Sequence, residues 1–134
     1  MSRYNDRLPH DYKAAADMLN GRETRPVPGV GNTHLTQGDG YIDLTYHGNM
    51  IASFDQDTGD VLLTTAGWAT RSTHERLNAI ARTVGVVFSI QGGEGVITGP
   101  GAYSLASSEE FGVTIHDLGW ILDWELTERK EYAA

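Results

Sequence analysis

The stretch that decides the fold is YIDLTYHGNMIASFDQDTGDVLL, residues 41–63. Apolar and polar residues alternate over 41–46 and again over 50–54, which indicates strands that bury one face. His47-Gly48-Asn49 separates these runs, and an Asp- and Gly-rich segment follows the second run; both are turn sequences. We therefore predict a three-stranded antiparallel meander over residues 41–65.

Downstream of the meander, the pattern changes to a helical period. Ser72-Thr73-His74-Glu75 fits a capping box, and Gly85 is typical of a helix stop. We predict a central helix over about 73–84. Its buried stripe consists of four apolar residues: Leu77, Ile80, Ala81 and Val84.

Upstream, the first residues also show helical spacing. Pro9 suits a first helical turn and Gly21 a stop, which predicts an N-terminal helix over about 9–20. The segment RETRPVPGVG, residues 22–31, has the Pro and Gly content of a linker. We expect residues 1–31 to form a helical arm and a Pro/Gly linker.

The last third of the chain predicts further short strands. Val86–Ile90 and Val96–Thr98 flank a Gly-rich hairpin turn, residues 99–112 have loop composition, and residues 118–126 alternate at a period of two. The fold class is therefore α+β, with a mainly antiparallel sheet of about five or six short strands and two helices. We expect a single domain over residues 32–128 and a frayed tail over 129–134.

The composition excludes several classes of protein. The chain has 134 residues, enough for one domain, and its 10 basic and 18 acidic residues give a formal charge of -8. This balance disfavours non-specific binding to nucleic acid. The chain has no cysteine, which excludes disulfide frameworks, cysteine-ligated metals and thiol nucleophiles. No segment has the apolar length of a secretory signal or a membrane span, so we expect a cytosolic protein with no membrane association.

The motifs of common metal and phosphate sites are incomplete. Asp55-x-Asp57-x-Gly59-Asp60 resembles a calcium loop, but its glycine comes one position early and the closing acidic ligand is missing. The glycine-rich run 92–95 lacks the lysine of a P-loop. The 5 histidines lack close metal spacing, although a zinc site assembled from distant residues stays open, and no Gly-x-Ser-x-Gly elbow occurs. We predict no metal and no cofactor, and we favour a protein that is not an enzyme.

One string, residues 67–78, has the residue types of a binding site. It spans the predicted start of the central helix, where free backbone amides favour an anion. Trp68 offers a stacking surface, while Arg71 and Arg76 flank the helix start. The alternative is structural: Trp68 lies in the core, and Arg76 pairs with a carboxylate.

Part of the chain resembles a known family. The residues concerned are Asn32-Thr33-His34-Leu35, His47 with Ile51, Gly59-x-Val61-x-Leu63 and Gly67-Trp68-x-Thr70-x-x-Thr73-x-x-Arg76-x-Asn78. This pattern resembles a family of small bacteriophage proteins, common in phages of actinobacteria, for which no activity is established. The resemblance implies a phage origin and carries over no catalytic residue.

Three hypotheses about function follow. The first is a non-enzymatic binding protein of the host cytoplasm that acts on a host or phage protein, in host takeover or counter-defence. The second is a protein that binds or processes a nucleotide or another small anionic ligand, and the third is a minor virion component. Self-association into a homo-oligomer stays open. The candidate residues for ligand or partner binding are Trp68, Thr70, Arg71, Thr73, Arg76, Asn78 and His47.

Overall fold

The computed structural model describes residues 4–68, 70–83, 85–98, 104–106, 111–115 and 122–126. The described elements, in chain order, are α1 (Tyr12–Leu19), β1 (Thr24–Pro26), β2 (Thr33–Gln37), β3 (Tyr41–Tyr46), β4 (Asn49–Asp55), β5 (Val61–Leu63), α2 (Arg71–Ile80), β6 (Val87–Gln91), β7 (Glu94–Thr98), β8 (Ser104–Ala106), β9 (Phe111–Ile115) and β10 (Leu122–Leu126). The α+β class, the antiparallel sheet and both predicted helices are confirmed.

The strands form two antiparallel sheets. The larger sheet has seven strands in the order β1-β2-β3-β4-β5-β9-β10, and the smaller has three in the order β6-β7-β8. The predicted meander is the centre of the large sheet, where β3 pairs with β4 and β4 pairs with β5. The alternation of apolar and polar residues in the meander reflects the burial of one face, because Ile42, Leu44 and Phe54 are all fully buried in the core.

Three strands extend into segments with loop composition. Strand β1 lies inside the predicted linker at the edge of the large sheet, which explains Pro26, since an edge strand needs no second partner for its backbone. Strand β8 and the start of β9 lie inside the predicted loop 99–112. The predicted last strand corresponds to β10, and its first four predicted residues, 118–121, lie outside the described residues, as does the predicted tail 129–134.

Helix α1 packs against β2, β3 and β4. Its ends are closed by Asp11, whose side chain accepts from the Ala14 amide, and by Asn20, which has the left-handed backbone typical of a helix end. The segment before β2 contributes buried apolar side chains to the same core as the sheet: Tyr4, Leu8, Ala15, Leu19, Val27 and Val30.

Helix α2 packs against β4 of the large sheet and β6 of the small one. It begins earlier than the capping box suggests, because Thr70 is the N-cap and its side chain accepts from the Thr73 amide. It also ends earlier, at Ile80, where Arg82 donates to the Ala79 carbonyl in the turn that follows. Among the described residues, no helix has both the length and the apolar character needed to cross a membrane.

Candidate functional site

A cleft of about 390 Å³ opens between the β3–β4 turn and the start of α2. This volume lies within the usual range for small-molecule sites, about 300 to 1,000 Å³. Nine residues line the cleft: Tyr46, His47, Asn49, Ile51, Thr65, Trp68, Thr70, Ser72 and Thr73. Four of the seven residues proposed from the sequence therefore converge here: His47, Trp68, Thr70 and Thr73.

Two tight turns border the cleft. His47 and Gly48 join β3 to β4, and Ala66 and Gly67 join β5 to the segment before α2. Each turn holds a non-glycine residue in the left-handed region, with φ of 51° at His47 and 56° at Ala66. Such backbone costs of order 1 kcal/mol for residues with a side chain and is concentrated at functional sites.

The second turn separates Thr65 from Trp68. The Trp68 amide donates to the Thr65 carbonyl at 2.9 Å, which closes the turn. Trp68 is 59% exposed, so it is not a core residue, whereas Thr65 is fully buried. One turn therefore places an open indole surface and a buried hydroxyl in the same cleft.

The hydroxyl of Thr65 has no hydrogen-bond partner among the described residues. A buried polar atom without a partner costs about 1 to 3 kcal/mol, and each such case in a native protein needs an explanation. The preceding Thr64 shows the contrast, because its Oγ1 accepts from the Ala66 amide. The sequence analysis did not identify Thr65, since nothing in the sequence distinguishes its hydroxyl from that of Thr64.

The start of α2 forms one wall of the cleft. Thr70 Oγ1 accepts from the Thr73 amide at 3.3 Å and donates to Thr73 Oγ1 at 3.1 Å. Tyr46 donates its hydroxyl to Ser72 Oγ at 3.1 Å and so connects β3 to this wall. The first-turn amides of a helix have no acceptor inside the helix, and the helix dipole makes this end positive.

Arg76 is behind the cleft rather than in it. It is 3% exposed, and its guanidinium donates to Thr33 Oγ1, the Ser72 carbonyl and the Gly31 carbonyl at 2.8–3.0 Å. It also stacks on the Tyr46 ring, with its central carbon 3.8 Å from the ring centroid. These contacts connect α2 to β2 and β3, so the described surroundings give Arg76 a structural role.

The remaining two candidates lie apart from the cleft lining. Arg71 is exposed at the first position of α2. Asn78 lies further along α2, where its side-chain amide donates to the Phe88 carbonyl at 2.9 Å and its oxygen accepts from the Phe88 amide at 2.7 Å. Asn78 therefore holds β6 against α2.

No carboxylate lines the cleft in the described part of the chain, although the whole chain carries a charge of -8. The cleft combines a positive helix end with a buried guanidinium stacked on Tyr46, and the exposed Arg71 adjoins the lining residues Thr70 and Ser72 in the chain. An anion is favoured in such surroundings.

The predicted hairpin turn at Asp55 lies elsewhere on the sheet. The Asp55 carboxylate accepts from the backbone amides of Asp57 and Thr58, each at 2.9 Å, which lowers the pKa of this carboxyl. This geometry accounts for the acidic sequence of the turn without a bound cation. Among the described residues, no group of three or more His, Asp or Glu is placed to hold a metal ion.

Residues 12–114 match the profile of the Kyanoviridae Gp96 protein family. The match covers most of the 134 residues and includes both helices and every residue of the cleft. The chain belongs to the Kyanoviridae Gp96 family. Gp96 is a phage protein family of unknown function, so the phage origin implied by the resemblance is confirmed. The association with actinobacterial phages stays a prediction. No curated protein and no solved structure matched this Gp96-family chain.

Proposed function

We propose that this Gp96-family protein is a non-enzymatic binding protein of the infected host cytoplasm and that its cleft holds a small, flat, anionic ligand. One observation carries the proposal: the exposed Trp68 and the buried Thr65, whose hydroxyl has no partner among the described residues, line the same cleft at the positive end of α2. An aromatic surface beside convergent polar groups in a concave site is the usual arrangement for small-molecule binding.

A small ligand suits this surface better than a protein partner. Large contiguous apolar patches on a protein surface often mark protein–protein interfaces. Among the described residues, the large apolar side chains that are exposed are Trp68, Val87 and Ile90. Trp68 belongs to the cleft, and the other two lie on β6. By sequestering a host metabolite or signalling molecule, the protein would serve host takeover or counter-defence.

Among the described residues that line the cleft, no hydroxyl is hydrogen-bonded to a base. Ser72 Oγ has described hydrogen bonds with Tyr46 and Thr70. A serine nucleophile needs an adjacent base, oriented by a third group, to accept its proton. Neither of these hydroxyl partners is such a base, which favours binding over turnover.

Native mass spectrometry of the freshly purified protein tests this proposal, together with thermal shift against nucleotides and aromatic carboxylates. We expect a bound small molecule or a rise in Tm, because a ligand at 100 times its Kd adds about 2.7 kcal/mol of stability. Trp68→Ala should abolish the effect. Val87→Ala is the matched control, because Val87 is also exposed but does not line the cleft.

Two results would contradict a small-ligand function. One is a protein that is empty after purification and indifferent to the whole panel. The other is the recovery from infected cells of a stoichiometric protein partner whose binding is unchanged in Trp68→Ala, which would support the macromolecular hypothesis. Detection of the chain in purified particles would support a virion role.

A further inference from the structure

Several backbone hydrogen-bond donors lie at the start of α2, which forms one wall of the cleft. The amides of Arg71 and Ser72 belong to the first helical turn, where no intrahelical acceptor exists, whereas Thr70 already caps the Thr73 amide. Ser72 Oγ accepts from Tyr46, and its own proton is directed to Thr70 Oγ1 at 3.3 Å, because Thr70 donates its proton to Thr73 Oγ1. The backbone amides, rather than this hydroxyl, are therefore the free donors of the helix start.

Thr65 adds a donor that the protein itself does not use. Its side chain is fully buried and lines the cleft, and its Oγ1 has no partner among the described residues. Desolvating this hydroxyl without a partner lowers the stability of the free protein. A ligand oxygen would supply the missing partner once the Thr65 side chain turns its hydroxyl toward the cleft.

We propose that the cleft binds a nucleoside monophosphate, with its phosphate at the start of α2 and its base stacked on Trp68. This inference rests on the proposed function and names its ligand. The Thr65 hydroxyl and the first-turn amides of Arg71 and Ser72 supply three donors, one for each of the three terminal oxygens of a phosphate monoester. Backbone amides at a helix start are a general phosphate-binding device.

The lining also selects a monophosphate over a di- or triphosphate. Sites for longer phosphate chains use Lys side chains and carboxylates that hold Mg²⁺. Neither Lys nor Asp nor Glu lines the cleft in the described part of the chain. The cleft volume of about 390 Å³ is near the lower end of the range for ligand sites, which also favours a small nucleotide.

Two other lining residues suit a base. Trp68 presents an exposed aromatic face, and Asn49 offers an amide that can donate to and accept from a base edge. Stacking on an aromatic side chain tolerates every base, since each base has a π face. The cleft therefore favours a ligand with an aromatic ring and a phosphate, and it discriminates less between one base and another.

Isothermal titration calorimetry with AMP, GMP, CMP and UMP tests the inference, with the matching nucleosides and inorganic phosphate as comparison probes. We expect at least one monophosphate to bind more than tenfold more tightly than its nucleoside. Thr65→Val should weaken that monophosphate about tenfold or more and leave the nucleoside unchanged, because only the phosphate contact is lost. Trp68→Ala should weaken both the monophosphate and its nucleoside, by about 5- to 150-fold.

Thr83→Val is the matched control, since it removes an exposed hydroxyl that does not line the cleft. Equal affinity of the wild type and Thr65→Val for the monophosphate would overturn the inference. If benzoate or indole-3-acetate binds in a manner that depends on Trp68 while no monophosphate does, the phosphate inference fails and the proposed function stands. If no probe shows binding that depends on Trp68, the phosphate inference and the proposed function both fail.

Discussion

The Trp68 amide donates to the Thr65 carbonyl at 2.9 Å, and this single bond closes the turn that exposes the indole and buries the hydroxyl. The turn residues between them, Ala66 and Gly67, both have positive φ. A strained backbone and a buried hydroxyl without a partner each lower the stability of the free protein. Both features adjoin the cleft that we propose as a binding site.

Thr65→Val should stabilise the protein. Valine has nearly the shape of threonine but removes the unpartnered hydroxyl, so we expect the free energy of unfolding to rise by about 1 kcal/mol. Urea unfolding followed by tryptophan fluorescence measures the change. A variant that gains stability while it loses ligand affinity would show the trade-off expected of a binding group.

Thr64→Val is the control for this prediction. Thr64 is equally buried, but its Oγ1 accepts from the Ala66 amide at 3.1 Å. Removing that acceptor should lower the free energy of unfolding by about 1 kcal/mol. Destabilisation of similar size in both variants would mean that the Thr65 hydroxyl is satisfied.

Arg76→Met should destabilise the protein strongly. The change leaves the Gly31 and Ser72 carbonyls and the Thr33 hydroxyl without their guanidinium donor, so we expect a loss of about 3 kcal/mol or more. Arg76→Lys should recover only part of this loss, because an ammonium cannot reproduce the planar set of donors. Denaturant unfolding measures both variants.

Arg71→Ala is the comparison for Arg76. Arg71 is exposed at the helix start, so its removal should change stability by less than about 0.5 kcal/mol. If both arginine variants had equally small effects, the buried position of Arg76 would be incorrect.

The sequence predicted the parts of the fold that depend on local pattern. The alternation around Ile42 and Leu44 and the helical spacing around Leu77 each reflect burial of one face, and a burial pattern is visible in sequence. Strand β1 was harder to predict, since Pro26 is compatible with a strand only at an edge, and edge position depends on the whole sheet.

The site was only partly predictable for a related reason. Trp68 could be assigned to a binding surface or to the core from its sequence context, and only the turn at Ala66 and Gly67 decides between them. The role of Arg76 depends on Thr33, which lies 43 residues away in the chain. The unsatisfied hydroxyl of Thr65 is a property of its packed surroundings, which no local motif encodes.

Low pH should destabilise the protein through His74. This side chain is 4% exposed, its Nε2 has no partner among the described residues, and burial lowers the pKa of its imidazole. The unfolded chain therefore takes up a proton more readily than the folded chain. The contribution of neutral His74 to the free energy of unfolding is fully present above about 6.5, the pKa of histidine in the unfolded chain. It is lost as pH falls through the pKa of His74 in the folded chain.

Urea unfolding at pH 8, 7, 6 and 5 measures this linkage. We expect His74 to contribute a decline of up to about 1.4 kcal/mol per pH unit below its unfolded pKa. His74→Phe keeps an aromatic ring beside Phe88 and should remove most of the decline between pH 7 and 5. An unchanged pH profile in this variant would assign the decline to other groups.

Asn78 should protect the edge of the small sheet against pairing with another chain. Strand β6 is the outer strand of that sheet, and both backbone groups of Phe88 that face away from β7 are bonded to the Asn78 amide. Exposed edge strands with free backbone groups promote association. Asn78→Ala should therefore lower the free energy of unfolding by about 1 to 3 kcal/mol and increase self-association.

Analytical ultracentrifugation at several protein concentrations, together with urea unfolding, separates the two effects. Asn78→Asp is the informative second variant, because a carboxylate still accepts from the Phe88 amide but faces the Phe88 carbonyl without a proton to donate. We expect it to lose stability, while its charge on the edge limits association. A monomeric Asn78→Ala variant of wild-type stability would contradict the role assigned to this amide, since Phe88 would then have to bond water or another group equally well.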